Sequence, residues 1–426
     1  MHKSLLAGAG KAEIIFNETC FPTSGFTKIH DPLHIRALIL KGDLEILILS
    51  VEITSLFPDV ENRLREIASE ESGISIEHVW ITLTHSFGGP HMWPEGGHGP
   101  GPAMFLRTEE DRQKNTALKQ AHFEAAKKAV QRAVDNLQPA VIGRGKGQCT
   151  INASRNVRTD QGWWIGTNCE EPCDHSVSVL SIRTPDGKQL AFLFEYGIRS
   201  CVITGVAAPD GGNYVSSDLA GAACTHLEKE FGNDATAIFL CGACGDQEPV
   251  LKGCYDEQDA AGKLHSVSLG AGAFTLLEAQ GRCLASEVLQ INRDIKILND
   301  APSMQIGKKD FICQTMPRSG RPEPTKHKEF ISDGERTLSV HALCIDDFNL
   351  IGVQPEINGT TSVQITEAFR ENCTAVATMV NGGDKCMPEK EAYDQCKYQS
   401  LNSNVMPGSA ELLRDTAIEL IRDLRA

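Results

Sequence analysis

Polar side chains able to do acid–base, nucleophilic or metal chemistry follow the ends of several short apolar runs in this sequence. Carboxylates, imidazoles and thiols move protons or bind zinc, and guanidinium groups bind anions. Open α/β sheets place their ligands at the carboxyl ends of strands, so these side chains are candidates for one shared site. The candidates are His85, His91, Arg199, Asp210, Asp218, Asp246, Glu248, Glu356 and Cys386.

Each candidate also has a structural alternative. A histidine in a loop is often a packing or surface residue, and Asp246, which follows Gly245, can simply cap a turn. Arg155 can belong to an ordinary salt bridge. Convergence of several such groups would favour a functional site, but the sequence alone does not show that they meet.

The elements that must position these residues alternate between strand and helix. Residues 35–41 and 44–53 are β-branched apolar runs around a Gly-Asp turn, which predicts a hairpin. Residues 59–70 have helical spacing, and 78–84 form the next apolar run. A loop rich in Gly, Pro, His and Trp spans 87–106, and a loop of this length favours a functional role.

The remainder of the chain continues the alternation with one interruption. The segment 308–336 is basic, polar and contains prolines, so we predict little regular structure there. Strand and helix patterns resume at 338–353 and end with a helix at 410–424. We therefore predict an α/β fold forming one domain over residues 1–426, with a small subdomain near 290–345 as the alternative.

Composition excludes several classes of function. The chain has 426 residues and a net charge of 41 − 56 = −15, which disfavours binding to nucleic acid or to an anionic membrane surface. No apolar run is long enough to span a bilayer. The first residues lead directly into a strand-like run without the pattern of a secretory signal, so we expect a cytoplasmic protein.

Cysteine usage agrees with a reducing compartment. There are 15 cysteines, an odd number spread along a large chain, and we expect reduced thiols and no disulfide framework. Cys241 and Cys244 form a single CxxC pair, which by itself is a weak signal for metal or redox chemistry. We interpret this pair as structural thiols, with metal or redox use as the alternative.

Eight short motifs, in order along the chain, resemble those of the neutral/alkaline (non-lysosomal) ceramidase family. The motifs are Ala7-Gly-Ala-Gly-Lys-Ala-Glu-Ile14, Ile29-His30 with Ile35-Arg36-Ala37, Thr82-Leu-Thr-His-Ser-Phe-Gly-Gly-Pro90, Ile151-Asn-Ala-Ser-Arg155, Ser217-Asp218, Gly245-Asp-Gln-Glu-Pro249, Pro355-Glu356 with Thr360-Thr361, and Tyr393-Asp-Gln-Cys-Lys-Tyr398. The resemblance implies the family's catalytic domain, a mixed β-sheet core flanked by helices, without its C-terminal immunoglobulin-like domain.

The resemblance also implies a zinc hydrolase that cleaves an amide. The family holds zinc with two histidines, a glutamate and a tyrosine, and it uses a serine beside the metal. In this chain the glutamate is retained as Glu356, and His85 retains the second histidine of the family's Thr-His-Thr-His motif. The other family positions are changed: the two zinc histidines fall at Leu83 and Gly197, the serine at Glu248 and the tyrosine near Cys386. Asp246, Asp218, Arg155 and Tyr398 are retained neighbours.

Two chemistries remain open for such a site. In one, zinc is bound by a rebuilt set of ligands drawn from His85 or His91, Glu356, Cys386 and Asp218. In the other, the pocket is free of metal, and Glu248 and Cys386 act as acid–base or nucleophilic groups. A protein that only binds a small molecule is a third alternative.

From these observations we expect a hydrolase of a C–N or amide-type bond in a small, soluble, polar substrate. Glu248, His85, Asp246 and Cys386 are the expected catalytic residues. Arg155, Asp218, His91, Arg199 and Tyr398 are expected to bind substrate, and Glu356, His85 and Cys386 would hold the metal. A metal-independent lyase or isomerase using the same groups is the alternative. We expect a small-molecule partner and a homo-oligomer.

Overall fold

The computed structural model describes residues 2–17, 20–94, 104–259, 264–317 and 322–426. Part of the predicted loop 87–106 therefore lies outside the described residues. Three sheets of four or five strands dominate the described part of the chain. No helix within it is long and apolar enough to cross a membrane.

The first sheet has the strand order β5-β4-β3-β1-β6. Its strands are β1 (Leu6–Glu13), β3 (His34–Lys41), β4 (Glu45–Val51), β5 (Val79–Leu83) and β6 (Gln138–Pro139). The second sheet has the order β13-β11-β10-β7, built from β7 (Val141–Gln148), β10 (Ser176–Arg183), β11 (Gln189–Tyr196) and β13 (Thr236–Cys241). The third has the order β17-β18-β19-β21, built from β17 (Met304–Thr315), β18 (Gly334–Ile345), β19 (Phe348–Val353) and β21 (Cys373–Thr378).

Short strands complete the β structure at the edges of these sheets. They are β2 (Phe26–Ile29) with β12 (Asn213–Val215), β8 (Asn152–Thr159) with β9 (Gly162–Asn168) and β14 (Gln247–Pro249), β15 (Cys254–Gln258) with β16 (Leu264–Ser268), and β20 (Glu356–Ile357) with β22 (Cys386–Met387). The helices are α1 (Pro58–Ser72), α2 (Glu109–Asp135), α3 (Asp218–Glu230), α4 (Ala273–Asp294), α5 (Gly359–Glu367), α6 (Lys390–Asp394), α7 (Tyr398–Leu401) and α8 (Ser409–Arg425).

The three large sheets share one apolar core. Leu40 of the first sheet, Ile182 of the second and Leu350 of the third belong to the same buried cluster. Helices cover the opposite faces: α1 to α4 pack on the first two sheets, and α5 and α8 pack on the third. Each sheet is thus buried on both sides, which explains the nearly continuous apolar runs in its central strands.

Helix α2 lies unusually close to strand β1 because of two glycines. A Cβ atom added at Gly8 would lie 2.1 Å from the Ala133 carbonyl oxygen, and one at Gly10 would lie 2.3 Å from that of Ala129. The helix begins with a capping box in which Thr108 and Asp111 satisfy each other's backbone N–H groups. The strand-like run expected in the first residues of the chain is confirmed as β1.

The prediction of little regular structure over 308–336 is wrong for much of that segment. Strand β17 continues through this region and pairs along its whole length with β18. Phe311 and Cys313 are buried against α8, while Lys309 forms ion pairs with acidic residues of that helix. The basic side chains hid the alternation of buried and exposed positions. Residues 322–333 do lack helix and strand, as predicted.

All 15 cysteines lie in the described part of the chain, and none of them forms a disulfide there. Most of the thiols are buried, many of them within the apolar clusters that the sheets and helices form. A buried free cysteine behaves as a small apolar side chain, so these residues contribute to packing.

Candidate active site

The candidate site lies where strands from all three sheets end. Each sheet contains one parallel pair: β4 with β5, β11 with β13, and β19 with β21. The chain segments that leave β5, β11, β13 and β19 carry His85, Arg199, Cys244 and Glu356, respectively. Each of these four residues therefore follows the carboxyl end of a strand, where open α/β sheets place their ligands.

His85 is held in a fixed orientation. Its Nδ1 lies 2.8 Å from the carbonyl oxygen of Thr54. Because a carbonyl oxygen only accepts hydrogen bonds, Nδ1 carries the hydrogen, and Nε2 of the neutral ring presents a lone pair. Nε2 is buried and has no hydrogen-bond partner among the described residues. The backbone of His85 has a φ of 53°, in the left-handed region, which is uncommon outside glycine.

Three groups that bind metals converge at His85 Nε2. His85, Cys244 and Glu356 each offer a ligand atom, these atoms lie within 4.8 Å of one another, and all three residues are buried. The distance from His85 Nε2 to Glu356 Oε2 is 3.5 Å. Two electron-rich atoms at this distance repel each other unless a proton or a cation lies near both.

Glu356 is kept ionised by a buried guanidinium. Arg199 Nη2 donates to Glu356 Oε2, and Arg199 Nε donates to the carbonyl oxygen of Cys244 at 3.0 Å. Burial alone would raise the pKa of Glu356, but Arg199 and His85 lower it well below its usual range. The Glu356 carboxylate in turn raises the pKa of Arg199, although burial opposes this.

Cys386 lies beside Glu356 because their short strands pair. Residues Glu356 and Cys386 are partners in the parallel pair β20–β22, and Cys386 Sγ is 3.7 Å from Glu356 Oε2. Arg199 Nη2 and Asn402 Nδ2 lie 3.9 and 3.7 Å from the sulfur. Burial raises the pKa of Cys386 to about 11, and the Glu356 carboxylate adds to this effect.

Arg155 is a buried cation without a carboxylate partner. The residue is only 3% exposed, and its charge acts on the nearby Glu356 and Asp246 carboxylates, but it forms no ion pair within the described part of the chain. Its Nε donates to the Gly245 carbonyl oxygen at 2.9 Å, and its Nη2 lies 4.0 Å from Cys386 Sγ. Its guanidinium carbon lies 4.8 Å from the centre of the Tyr398 ring. Buried charges are usually paired, so Arg155 is a strong candidate to bind an anionic ligand.

Cys244 is influenced by its neighbour in the CxxC pair. A hydrogen bond from the Cys241 thiol lowers the pKa of Cys244, and nearby His85 and Arg199 act in the same direction against the effect of burial. A thiol with a lowered pKa is a better metal ligand and nucleophile. This thiol is therefore the most readily ionised cysteine around Glu356.

His91 lies at the margin of the cluster. Burial lowers its pKa to about 4, and the positive charge of Lys385 acts in the same direction. Its ring centre is 5.2 Å from that of Trp93. His91 is therefore uncharged at neutral pH and forms part of the wall near His85.

Asp218 faces the backbone instead of the cluster. Its carboxylate accepts hydrogen bonds from the N–H groups of Val202, Ile203 and Leu219 at 2.9, 3.1 and 2.7 Å. Burial raises its pKa to about 6 despite these bonds. These contacts indicate that Asp218 fixes the loop after Arg199. Asp210, which the sequence grouped with Arg199, is exposed and bonds to Thr27.

Asp246 and Glu248 are also separate from His85. Asp246 accepts a hydrogen bond from the Gly359 N–H at 2.9 Å and lines another cavity, of about 430 Å³, with Glu389. Burial and the Glu389 charge raise its pKa to about 6. Glu248 forms an ion pair with Lys252. Burial raises the pKa of the nearby Cys201 thiol; the Glu248 charge adds to this effect, and Arg199 opposes it.

Two residues of the cluster were missed by the sequence analysis. Cys244 belongs to the CxxC pair that we interpreted as structural, and its position after β13 was the available signal. Asn402 gave no signal, since it follows the short helix α7. The structure thus brings together His85, Arg155, Arg199, Glu356 and Cys386, and it adds Cys244.

Comparison with solved structures identifies the fold. A structure described as ceramidase complexed with C2 and one of neutral ceramidase from Pseudomonas aeruginosa each superpose with a TM-score of 0.73 at 14% sequence identity. The match covers 99% of this chain and 75% of the ceramidase chain in both cases. The chain has the ceramidase fold. No protein-family model matches the sequence, and no curated protein matches it.

The residues in this ceramidase fold suit a zinc ion. His85, Cys244 and Glu356 provide the nitrogen, sulfur and oxygen ligands that zinc accepts, and catalytic zinc sites commonly use three protein ligands. The unpartnered Nε2 of His85 gives a lone pair that a cation would satisfy. Cys244 is the third donor in this set, in place of the Cys386 that the sequence suggested.

Proposed function

We propose that this protein hydrolyses a C–N or amide-type bond in a small, soluble substrate that carries an anionic group. The observation that carries the proposal is the convergence of His85, Cys244 and Glu356 beside the unpaired Arg155 guanidinium, at the strand ends of a ceramidase fold. Amide hydrolysis suits such a set, because it needs an activated water and a group that stabilises the negative charge developing on oxygen.

Arg155 is the proposed anchor for the substrate. Its orientation is fixed by the Gly245 carbonyl oxygen and by the Tyr398 ring, and its Nη2 has only the Cys386 sulfur as a distant contact among the described residues, which a carboxylate could replace. Binding an anion would supply the partner that this buried cation otherwise lacks. We propose a small polar substrate because the positive charge of Arg155 would bind its anionic group.

His85, Cys244 and Glu356 would hold zinc, which when bound polarises a carbonyl and lowers the pKa of water. The Thr54 carbonyl oxygen keeps hydrogen on His85 Nδ1, so that Nε2 faces the reacting groups. Arg199 keeps Glu356 ionised and in place. Glu248 would act from further away, next to Lys252, so we assign it no direct role at the scissile bond.

A panel of N-acetyl amino acids tests this function, because each contains an amide and a carboxylate. Purified protein should release free amine from at least one member of the panel. Arg155→Met should lower kcat/KM by about 10–100-fold, mainly through KM. Arg63→Met is the matched control, since Arg63 is exposed on α1 and pairs only with Glu66 and Glu70 there. No turnover of any member, or equal turnover by the Arg155 variant, would contradict the proposal.

One observation favours the second candidate, a metal-independent lyase or isomerase. Arg199 already neutralises the Glu356 carboxylate without a metal, and the Cys386 thiol lies beside that carboxylate. Elemental analysis distinguishes the candidates. About one zinc per chain, with activity lost on chelation, supports hydrolysis, whereas zinc-free protein with activity unaffected by chelators supports the second candidate.

A further inference from the structure

A second cavity, unrelated to the residues above, is lined by hydrogen-bond donors. It has a volume of about 400 Å³ and lies where edge strand β5 of the first sheet meets β17 and β18 of the third. This volume is in the range of small-molecule sites. We call it the donor cavity, and the residues that define it are Arg65, His78, Trp80, Lys308, His341 and Asn381.

Three buried donors of the donor cavity have no acceptor among the described residues. They are Arg65 Nε, Trp80 Nε1 and Asn381 Nδ2. Trp80 is 1% exposed and Asn381 is 7% exposed, so water does not reach them freely. A buried donor without an acceptor is costly, and three lining one cavity indicate that a ligand supplies the acceptors.

The orientation of the Asn381 amide is fixed by the backbone. Its Oδ1 accepts a hydrogen bond from the Ile81 N–H at 2.8 Å, so the free group must be the NH₂ donor. Its own N–H donates to the Ile81 carbonyl oxygen at 2.9 Å, and its carbonyl oxygen accepts from Gln354. The unpaired amide hydrogens therefore belong to a rigid part of the structure.

Arg65 and Lys308 are the cations around the donor cavity, which is also lined by the acidic Glu77 and by an uncharged His341. Arg65 is permanently charged. Its Nη2 donates a hydrogen bond to the Ile76 carbonyl oxygen. Lys308 lies at the exposed side and pairs with Asp310. Burial lowers the pKa of His341 to about 4, and Lys308 and Arg65 act in the same direction. Glu77 is the acidic residue of the lining, and it is exposed.

We propose that the donor cavity binds an oxyanion of the phosphate type, either free phosphate or the phosphate of a small phosphomonoester. Phosphate oxygens accept several hydrogen bonds at once, which matches the three free donors, and their charge complements Arg65. The site is distinct from the candidate active site and does not depend on the proposed function.

Calorimetric titration with inorganic phosphate tests this proposal, with sodium chloride at equal ionic strength as the salt control. Three variants each remove one of these side-chain groups: Arg65→Met, Asn381→Asp and Trp80→Phe. Each should weaken phosphate binding, by about 10-fold or more for the first two and by several-fold for the third. Arg63→Met, two residues earlier on the same helix, should bind phosphate as the wild type does.

A second titration, with glycerol phosphate, separates the two sources of the anion. Tighter binding than that of inorganic phosphate identifies a phosphomonoester, and weaker binding identifies the free ion. Asn381→Asp keeps the acceptor for the Ile81 N–H, so it retains the local fold while adding a negative charge. The absence of phosphate binding to the folded wild type, or equal binding by the wild type and the Asn381 and Arg65 variants, would overturn the proposal.

Discussion

Gln354 lines the donor cavity, and Glu356, two residues further along the chain, belongs to the candidate active site. The two regions therefore share a segment, but they satisfy their polar groups differently. In the active site Arg199 pairs with Glu356, whereas within the described residues His85 Nε2 has no hydrogen-bond partner and Arg155 forms no ion pair. In the donor cavity Arg65 Nε, Trp80 Nε1 and Asn381 Nδ2, which lack partners among the described residues, are all donors.

This difference indicates what each region requires from outside. The active site lacks a cation near His85 and an anion near Arg155, which suits a metal and a charged substrate. The donor cavity lacks only acceptors, which suits an oxyanion. Unsatisfied buried groups, more than the size of a cavity, therefore distinguish the two sites.

Substitution of Glu356 in the candidate active site should lower amine release more than any other change considered. Glu356→Gln removes the charge that pairs with Arg199 and one proposed zinc ligand, so amine release should fall by about 1000-fold or more. Glu248→Gln is the matched variant, and we expect a loss below about 10-fold because Glu248 pairs with Lys252. Steady-state kinetics with the N-acetyl amino acids measure both losses. A larger loss of activity in the Glu248 variant would show that the reaction takes place at Glu248 and not at Glu356.

The two cysteines near Glu356 should differ in their effect on zinc binding. Cys244→Ser should weaken zinc binding by at least about 100-fold, because even outer-shell partners contribute about 10–100-fold. Cys386→Ser should stay within about 10-fold of the wild type, since Cys386 lies outside the convergent set. Competition with a chromophoric chelator measures both affinities. The reverse order would make Cys386 the ligand, as the sequence suggested.

Asp218 should matter for stability and little for chemistry. Asp218→Ala removes the acceptor for three buried backbone N–H groups, so the free energy of unfolding should fall by about 2–4 kcal/mol. Asp210→Ala is the control, because that residue is exposed, and it should cost less than about 1 kcal/mol. Urea unfolding measures both. An unchanged stability for the Asp218 variant would show that those bonds contribute nothing.

The smallest expected effect concerns Glu61, which shares helix α1 with Arg65 of the donor cavity. Burial raises the pKa of Glu61 from 4.5 to about 7, although Arg65 acts in the opposite direction. The folded state therefore binds a proton that the unfolded state releases, so stability falls as the pH rises from about 4.5 to about 7.

Glu61→Gln removes this titration. The variant should be more stable than the wild type by about 1–3 kcal/mol at pH values above about 8, and the difference should disappear towards about pH 4. Thermal unfolding across this pH range measures the effect. Glu66→Gln on the exposed side of α1 is the control, and a pH-independent difference for Glu61→Gln would contradict the assignment.

The sequence predicted the fold and part of the site because both follow local patterns. The β3–β4 hairpin, the helices and the strand ends that carry His85 and Glu356 were all visible in the order of apolar runs and turns. Strand β17 was not, since its lysines obscure the alternation that burial against α8 creates. Asp218 and Asp246 also follow strands, as residues of a site at the strand ends would. Their side chains instead accept hydrogen bonds from backbone N–H groups, because the loop backbone sets the direction of each side chain.

The donor cavity could not be predicted from the sequence. Trp80 and Asn381 are distant in the chain and carry no motif, and they meet only because β5 bridges to the segment after β21. Arg65 follows the spacing of an ordinary amphipathic helix. Cys244, by contrast, belongs to a CxxC motif that is visible in the sequence. Its possible role as a metal ligand became evident only from the fold, which places it beside Glu356.

The most direct test of the account is to follow the source of oxygen during turnover. The wild-type protein is incubated with its best N-acetyl amino acid in water enriched in heavy oxygen, and the acetate product is analysed by mass spectrometry. Hydrolysis at the His85–Cys244–Glu356 cluster predicts one heavy oxygen atom in each acetate released. Product that forms without heavy oxygen would contradict hydrolysis and would identify the chemistry as elimination or rearrangement.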